Sequence, residues 1–256
     1  MKIKLNKATV NYEIIGSGIP IVMFNGFATD KKMMKGCMEP IFNNKSGWKR
    51  VYLDHPGVGK TEIHNNFNDY RDVFEVVEEF ISKIIRSKKF ILAGYSFGGF
   101  LARYILSKMI NKVEGLLLIC PVVIPNLDNA HIDEKIDTDV INDSKRIDKR
   151  VEREVKKSMQ NTDFNFLENL RNKAENNVKR ENNNINHENV YKKPVLILTG
   201  KQDIEVGYKD AFELLNFYPR ATYCALDKAG HNLHIEQEKL FNNLVNEWLK
   251  RVNKNM

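Results

Sequence analysis

Gly94-Tyr95-Ser96-Phe97-Gly98 is the most informative pentapeptide in this 256-residue chain. The residues just before it, Lys88-Lys89-Phe90-Ile91-Leu92-Ala93, predict a short buried strand opened by two lysines. After it, apolar residues recur at helical spacing: Phe100, Leu101, Tyr104 and Ile105. A Gly-x-Ser-x-Gly pentapeptide between a strand and a helix predicts a tight turn that lifts the serine out at the carboxyl end of a sheet.

The geometry of this turn explains the residue types in it. Glycine is needed at both ends because a side chain would collide with the neighbouring strand or helix. The start of the following helix directs the N–H of Phe97 toward any anion that forms beside Ser96. The alternative is a chance match, since the pentapeptide alone is weak evidence, so the rest of the chain has to decide.

Strand and helix patterns alternate along most of the chain. The predicted strands are residues 2–5, 8–15, 21–24, 50–54, 88–93, 113–121, 193–200 and 221–226. Residues 2–5 and 8–15 predict an antiparallel pair, whereas 21–24 is fully apolar, as a central parallel strand requires. An amphipathic stripe at 73–85 predicts a helix that covers one face. The fold class is therefore α/β: a mostly parallel eight-stranded sheet with helices on both faces.

From about Pro125 the sequence pattern changes, with few strand signals and many charged residues. Apolar residues recur every three or four positions in two groups: Ile147, Val151, Val155 and Met159, then Leu167, Leu170, Ala174 and Val178. Such helices have narrow apolar faces that cannot form a core alone, so they must pack against another part of the protein. We predict a helical cap at 126–190, inserted between core parts 1–125 and 191–256 and laid over the carboxyl ends of the strands. The alternative is a solvated helical excursion without a role.

Candidate functional residues follow separate strands of the predicted sheet. In a parallel sheet such residues gather outside the carboxyl ends of the strands. Phe27, Ser96, Asp203 and His231 each lie in a loop of that kind. The chain order of serine, acid and histidine is the order expected for an α/β hydrolase.

These residue types suit nucleophilic catalysis. A serine hydroxyl is a poor nucleophile at neutral pH, and a histidine beside it takes its proton and later returns it to the leaving group. A carboxylate behind the histidine fixes its tautomer. We assign Ser96 as nucleophile, His231 as general base and Asp203 as orienter. The backbone N–H groups of Phe27 and Phe97 are the predicted oxyanion hole.

Residues next to these groups are expected to form the substrate pocket: Asn25, Gly26 and Tyr95. The apolar side chains of Phe27, Tyr95 and Phe97 beside the serine indicate a partly hydrophobic pocket.

Several residues compete for the assigned roles. Asp128, after the preceding strand, is an alternative to Asp203 as the acid. Asp227 lies on the strand side of the His231 turn and is expected to brace that loop. His234 is predicted inside the final helix as a structural residue. His55 ends a strand, where a hydrogen-bonded structural histidine is favoured over a functional one.

The amino-acid composition limits the kinds of binding partner and the cellular location that we expect. The net charge is +7, but 33 acidic residues are interleaved with 40 basic ones, so no nucleic-acid partner is expected. No apolar run is long enough to span a bilayer, and the first residues lack the apolar region of a signal peptide, so we expect no membrane association and a cytoplasmic location. Cys37, Cys120 and Cys224 form neither a metal pattern nor a disulfide framework. The oligomeric state stays open.

Five stretches carry a resemblance to a known superfamily. They are Gly16-Ser17-Gly18-Ile19-Pro20, Asp54-His55-Pro56-Gly57-Val58-Gly59, Gly94-Tyr95-Ser96-Phe97-Gly98-Gly99, Gly200-Lys201-Gln202-Asp203 and Ala229-Gly230-His231. With their strands they cover roughly 8–125 and 190–250. The chain resembles the α/β-hydrolase superfamily, in particular the capped group with meta-cleavage-product hydrolases and proline iminopeptidase-like enzymes. The resemblance implies a serine hydrolase without metal or organic cofactor.

One position departs from the family pattern. Members commonly have His-Gly where this chain has Asn25-Gly26. The oxyanion donor is a backbone group, so the hole is expected to survive. The sequence does not show which contacts hold the Asn25-Gly26 loop in place of those that the usual histidine would make.

Three functions remain in competition. The leading one is hydrolysis of a small acyl substrate, a carboxylic ester or an activated carbon–carbon bond next to a carbonyl. The second is an aminopeptidase, which needs an acidic site for the substrate's amino group, with Glu152 and Glu154 as candidates. The third is a non-catalytic ligand-binding protein that kept the fold.

Overall fold

The computed structural model describes residues 1–86, 88–124, 130–132, 136–142, 145–172 and 190–255. Asp128, Ala174 and Val178, which carry predictions made above, lie outside these residues.

The sheet contains the eight predicted strands and one short additional strand. The strands are β1 Lys2–Lys4, β2 Ala8–Ile15, β3 Ile19–Phe24, β4 Trp48–Leu53, β5 Glu62–Ile63, β6 Phe90–Tyr95, β7 Val113–Ile119, β8 Val195–Gly200 and β9 Ala221–Leu226. Their order across the described sheet is β1-β2-β4-β3-β6-β7-β8-β9, and the two-residue β5 pairs with β2. The neighbouring pairs β4-β3, β3-β6, β6-β7, β7-β8 and β8-β9 are parallel. The pairs of β2 with β1, β4 and β5 are antiparallel. The mostly parallel sheet is therefore confirmed.

Helices separate the strands. They are α1 Lys32–Phe42, α2 Arg71–Ile85, α3 Phe97–Met109, α4 Lys145–Met159, α5 Phe164–Asn172, α6 Lys209–Glu213, α7 Leu233–Glu236 and α8 Glu238–Asn253. Short 3₁₀ turns cover Asp139–Asn142 and Leu214–Asn216. None of the helices in the described ranges is both long and apolar enough to cross a bilayer.

Side chains of the central strands point alternately to two apolar layers. Val22 and Phe24 pack with α2 and α3, whereas Ile21 and Met23 pack with α1 and α8. This alternation follows from the two-residue repeat of a strand. Both faces of the sheet are thus covered by helices, as the apolar strand sequences predict.

The described helices of the inserted region lie over one end of the sheet. The N–H of Asp30 donates to the Ser158 carbonyl at 2.9 Å, and the N–H of Asp163 donates to the Gly57 carbonyl at 3.0 Å. Leu167 packs with Ala28 and Val58. These partners lie in the loops after β3 and β4, at the carboxyl ends of those strands. The division into 1–125, 126–190 and 191–256 stays a prediction.

The final helix begins later than the sequence pattern indicates. Gln237 has φ −120° and ψ 44°, a non-helical conformation that separates α7 from α8. The prediction that His234 lies inside the final helix is therefore wrong, because His234 belongs to the short α7.

Candidate active site

Ser96 occupies the turn between β6 and α3 in a strained backbone conformation. Its φ is +54° and its ψ is −119°, a region that costs a residue with a side chain on the order of 1–3 kcal/mol. The N–H of Ser96 donates to the Ile119 carbonyl of the neighbouring strand at 2.9 Å, and the Ser96 carbonyl accepts from the Gly99 N–H at 2.8 Å. Such strain persists only where the surroundings fix the backbone from several sides.

The two glycines of the pentapeptide sit where no side chain fits. A Cβ on Gly94 would overlap the carbonyl oxygen of Gly98. A Cβ on Gly98 would overlap the carbonyl oxygen of Phe24, at the end of β3. Both obstacles are backbone atoms, which cannot rotate away as a flexible side chain does.

The three side chains predicted as a triad form one hydrogen-bonded chain. Ser96 Oγ lies 2.9 Å from His231 Nε2, and His231 Nδ1 lies 2.8 Å from Asp203 Oδ2. All three residues are buried. They come from the loops after β6, β8 and β9, and the parallel arrangement of these strands brings the loops to one end of the sheet.

Asp203 is held in its ionised form. Its Oδ1 accepts hydrogen bonds from the N–H groups of Glu205 at 2.9 Å and Val206 at 3.1 Å. Burial raises the pKa of this carboxyl, but the charge and hydrogen bond of His231 and the two backbone donors outweigh burial and bring the pKa below its usual range. The carboxylate therefore faces His231 as a negative charge.

Two further carboxylates lie around His231. Glu205 Oε2 is 3.5 Å from His231 Nε2, and Glu236 accepts the Gly230 N–H at 2.7 Å. Burial lowers the pKa of His231, but the charges of Asp203, Glu205 and Glu236 overcome burial and raise it above its usual value. Burial also raises the pKa of Glu236 to about 7.

The loop after β3 passes directly beside Ser96. A Cβ on Gly26 would lie 3.0 Å from the Tyr95 ring and 3.3 Å from Ser96 Cβ. The Gly26 carbonyl accepts from the Thr29 hydroxyl at 3.1 Å and faces His55 Nε2 at 3.1 Å. In a trans peptide the C=O and the next N–H point in opposite directions. Holding this carbonyl therefore also fixes the direction of the Phe27 N–H.

Asn25 and Tyr95, which were predicted to line the pocket, are buried beneath the site. Asn25 is buried and donates to the Thr29 carbonyl at 2.5 Å. Tyr95 is buried against the His231 ring, with ring centroids 5.2 Å apart, and its hydroxyl donates to Asn232 at 3.3 Å. These two side chains offer a substrate almost no surface. Phe27, by contrast, is 39% exposed.

The histidines that competed for a role have structural contacts. Burial lowers the pKa of His55, so its ring is neutral and only one nitrogen donates. The nearer carbonyl is that of Gly26, on the loop beside Ser96. His234 is buried next to Met33 and the Tyr95 ring, and burial lowers its pKa to about 3.

Asp227 does not contact His231. It accepts a hydrogen bond from the Gln202 side chain at 3.0 Å, and Gln202 in turn accepts the Ala229 N–H at 3.1 Å. Asp227 therefore joins the loops that carry the acid and the histidine, as expected for a brace. Asp128, the alternative acid, lies outside the described residues.

One group of side chains in the described ranges has the spacing of metal ligands. Atoms of Cys120, Asp203 and His231 all lie within 4.8 Å of one another. Burial raises the pKa of the Cys120 thiol well above its usual value, so the thiolate that a metal needs is disfavoured. His231 Nδ1 and Asp203 already bind each other. The donor set fits a serine–histidine–acid arrangement better than a metal centre.

Comparison with known proteins agrees with this fold. A family model described as "alpha/beta hydrolase fold" matches residues 19–160, more than half of the chain. The chain belongs to the α/β-hydrolase fold family.

The chain is similar to proteins named as hydrolases. The chain is 24% identical over 249 residues to a Mycoplasma pneumoniae protein named "Putative esterase/lipase 2", covering 91% of this chain and 90% of the relative. A crystal structure of an α/β superfamily hydrolase from Oenococcus oeni PSU-1 is 27% identical, with a TM-score of 0.81 over 95% of this chain and 96% of that one. A meta-cleavage product hydrolase from Pseudomonas fluorescens IP01 is 18% identical, with a TM-score of 0.72 over 95% and 94%, and shows the fold alone.

Sequence reasoning did not single out Glu205, Glu236 and Thr29. Glu205 lies two residues after Asp203, and Glu236 lies five residues after His231. The proximity of both to predicted site residues was a usable signal. Thr29 had no such signal, because its hydroxyl acts on a carbonyl three residues back in a loop without a regular repeat.

Proposed function

We propose that this α/β-hydrolase-fold protein is a serine hydrolase that cleaves carboxylic esters of small acyl compounds. The observation that carries the proposal is the unbroken hydrogen-bonded chain from Ser96 through His231 to Asp203, at a strained turn at the end of the sheet. The preferred substrate class also draws on the relative named as an esterase or lipase, which matches this chain over nearly its whole length.

The contacts suggest how the first half of the reaction runs. His231 Nε2 takes the proton of Ser96 Oγ as that oxygen attacks the ester carbonyl. The imidazolium that forms is stabilised by the Asp203 carboxylate at Nδ1. The N–H groups of Phe27 and Phe97 bind the developing oxyanion, and each such donor typically contributes about 3 kcal/mol to lowering the barrier.

Loss of the alcohol and attack by water complete the proposed reaction. The proton on His231 passes to the leaving alcohol, and an acyl group remains on Ser96. Water then attacks this acyl group with His231 again as base, which releases the acid and restores Ser96. The sequence of steps needs the order Ser96–His231–Asp203 and no further titrating group.

We also propose that the inserted helices act as a cap over this site. Helix α4 is tied to the loop after β3 at Asp30, and α5 packs on the loop after β4 at Gly57. The Ile141 side chain approaches Gly230, next to His231. A cap that contacts these loops limits the acyl chain that can reach Ser96.

Among the described residues, neither glutamate named for the aminopeptidase alternative contacts Ser96, Asp203 or His231. Glu154 pairs with the adjacent Arg153 at 3.1 Å, and Glu152 is exposed. The carbon–carbon bond alternative and the non-catalytic alternative are separated from ester hydrolysis by experiment.

Labelling with a fluorophosphonate probe tests the nucleophile. Wild-type protein should be labelled, Ser96→Ala should not, and Ser107→Ala, which replaces an exposed serine on α3, should be labelled like wild type. Labelling of Ser96→Ala at the wild-type rate would refute the assignment of Ser96.

A substrate series tests the reaction class. The series contains 4-nitrophenyl esters from acetate to octanoate, amino-acid arylamides and a vinylogous diketone. We expect the highest kcat/KM for short esters. Folded wild-type protein that turns over none of these compounds would overturn the proposed function, and faster cleavage of the diketone or an arylamide would replace it by one of the alternatives.

A further inference from the structure

Glu205 lies at the proposed active site, and its carboxylate has no lysine or arginine partner among the described residues. Its backbone N–H binds Asp203, while its carboxylate reaches to 3.5 Å from His231 Nε2. That nitrogen is the one that also faces Ser96 Oγ at 2.9 Å. The Glu205 side chain is 61% exposed, so it borders both the proposed catalytic groups and solvent.

Within the part of the chain that the structure describes, Glu205 forms an ion pair with His231 and with no lysine or arginine. The neighbouring carboxylates of Asp203 and Glu236 add charge of the same sign. A substrate group beside Ser96 therefore meets a negative potential on the Glu205 side.

We propose that Glu205 is a specificity-determining carboxylate that makes the site accept neutral and positively charged acyl compounds and exclude those with a carboxylate or phosphate near the scissile bond. This inference rests on the proposed ester hydrolysis. The favoured ligand class is an ester with an amine or ammonium group on its acyl part, within reach of the Glu205 side chain.

The geometry explains why the effect falls on substrate charge. The scissile carbon must bond to Ser96 Oγ, and Glu205 faces the same side of His231 as that oxygen. A unit charge on the substrate about 7 Å from Glu205 changes kcat/KM by roughly 3- to 50-fold across the range of effective dielectric from water to a protein surface. Salt reduces this effect because the carboxylate is exposed.

Glu205→Gln keeps the shape of the side chain and removes its charge. The matched control is Glu213→Gln. Glu213 is an exposed glutamate on α6 that accepts a hydrogen bond from the Asn216 side chain. Three substrates share the 4-nitrophenol leaving group and an acyl chain of four carbons: the butyrate, the hemisuccinate anion and the 4-(trimethylammonio)butyrate cation. The neutral butyrate separates a loss of catalysis from a change in charge preference.

The measured quantity is the ratio of kcat/KM for the cationic ester to that for the anionic ester. We expect Glu205→Gln to lower this ratio at least 5-fold, in line with roughly 3- to 50-fold per charge, and 0.5 M salt to shrink the difference from wild type. Glu213→Gln should leave the ratio unchanged. A ratio that is unchanged in Glu205→Gln, or that falls equally in the control, refutes the role of Glu205 while ester hydrolysis stands. Failure of wild type on all three esters overturns the proposed function and this inference with it.

Discussion

Replacement of Asp203 by asparagine exchanges one oxygen of the proposed triad for an NH₂ group and leaves the shape of the side chain intact. In the wild type, Oδ1 accepts the N–H groups of Glu205 and Val206, and Oδ2 faces His231 Nδ1 at 2.8 Å. In the variant, the amide oxygen stays on the two backbone donors, because an NH₂ there would leave buried donors without an acceptor. The NH₂ group therefore faces His231.

This orientation sets the wrong tautomer of His231. Nδ1 becomes the acceptor, so the ring proton moves to Nε2, the nitrogen that has to receive the Ser96 proton. We expect kcat to fall roughly 10⁴-fold, the loss typical of a triad histidine in the wrong tautomer. That loss corresponds to about 5 kcal/mol of barrier at 1.36 kcal/mol per tenfold.

The assay is hydrolysis of 4-nitrophenyl butyrate between pH 5 and pH 9, with unfolding by urea as the check on folding. The control is Asp227→Asn, which changes the acid that braces the loop and should keep nearly full activity. A fall in kcat below tenfold in folded Asp203→Asn would refute the reasoning.

The pH profile gives a second readout. Burial lowers the pKa of His231, but in the wild type the charge of Asp203 outweighs burial and raises it. Wild-type activity is therefore lost as pH falls through this raised pKa. The residual activity of Asp203→Asn should persist to lower pH, because burial remains and the charge is gone. An acid limb that moves to higher pH would contradict this account.

Two further predictions concern stability. Gly98→Ala should destabilise the fold by more than about 3 kcal/mol, because its Cβ would overlap the Phe24 carbonyl, whereas Gly36→Ala, on the open face of α1, should stabilise it by about 0.5–1 kcal/mol in urea unfolding; equal effects would contradict the overlap. The pKa of Glu236 is raised to about 7 in the folded state, so ionisation opposes folding as pH rises. Glu236→Gln, which keeps an acceptor for Gly230, should therefore gain stability over wild type between pH 5 and pH 8, and a constant difference would refute this.

Local patterns carried most of the fold prediction. The apolar runs at β3, β6 and β7 and the stripe on α2 are properties of neighbouring residues, so the sequence displays them directly. The two-residue β5 was missed because Glu62 and Ile63 are too few to show a repeat, and only the partner β2 makes them a strand. The helix boundary at Gln237 was missed because apolar spacing continues across it.

The candidate site was predictable where it depends on loop position. Ser96, Asp203 and His231 each follow a parallel strand, and parallel strands end at one edge of the sheet. The surroundings of these side chains were not predictable. Asn25 and Tyr95 were expected to line the pocket, but both side chains are buried. The Tyr95 hydroxyl bonds to Asn232, which lies 137 positions away in the chain, so no local pattern displays this contact.

Spacing along the chain was enough to predict the parallel sheet with helices on both faces, the turn at Ser96 and the order of the three proposed catalytic residues. Three features became visible only in the folded molecule: the carboxylate that turns toward His231 Nε2, the contacts of Thr29 and His55 with the Gly26 carbonyl, and the loops that α4 and α5 cover. These features depend on distances between residues that are remote in the chain, and such distances exist only after the core has packed.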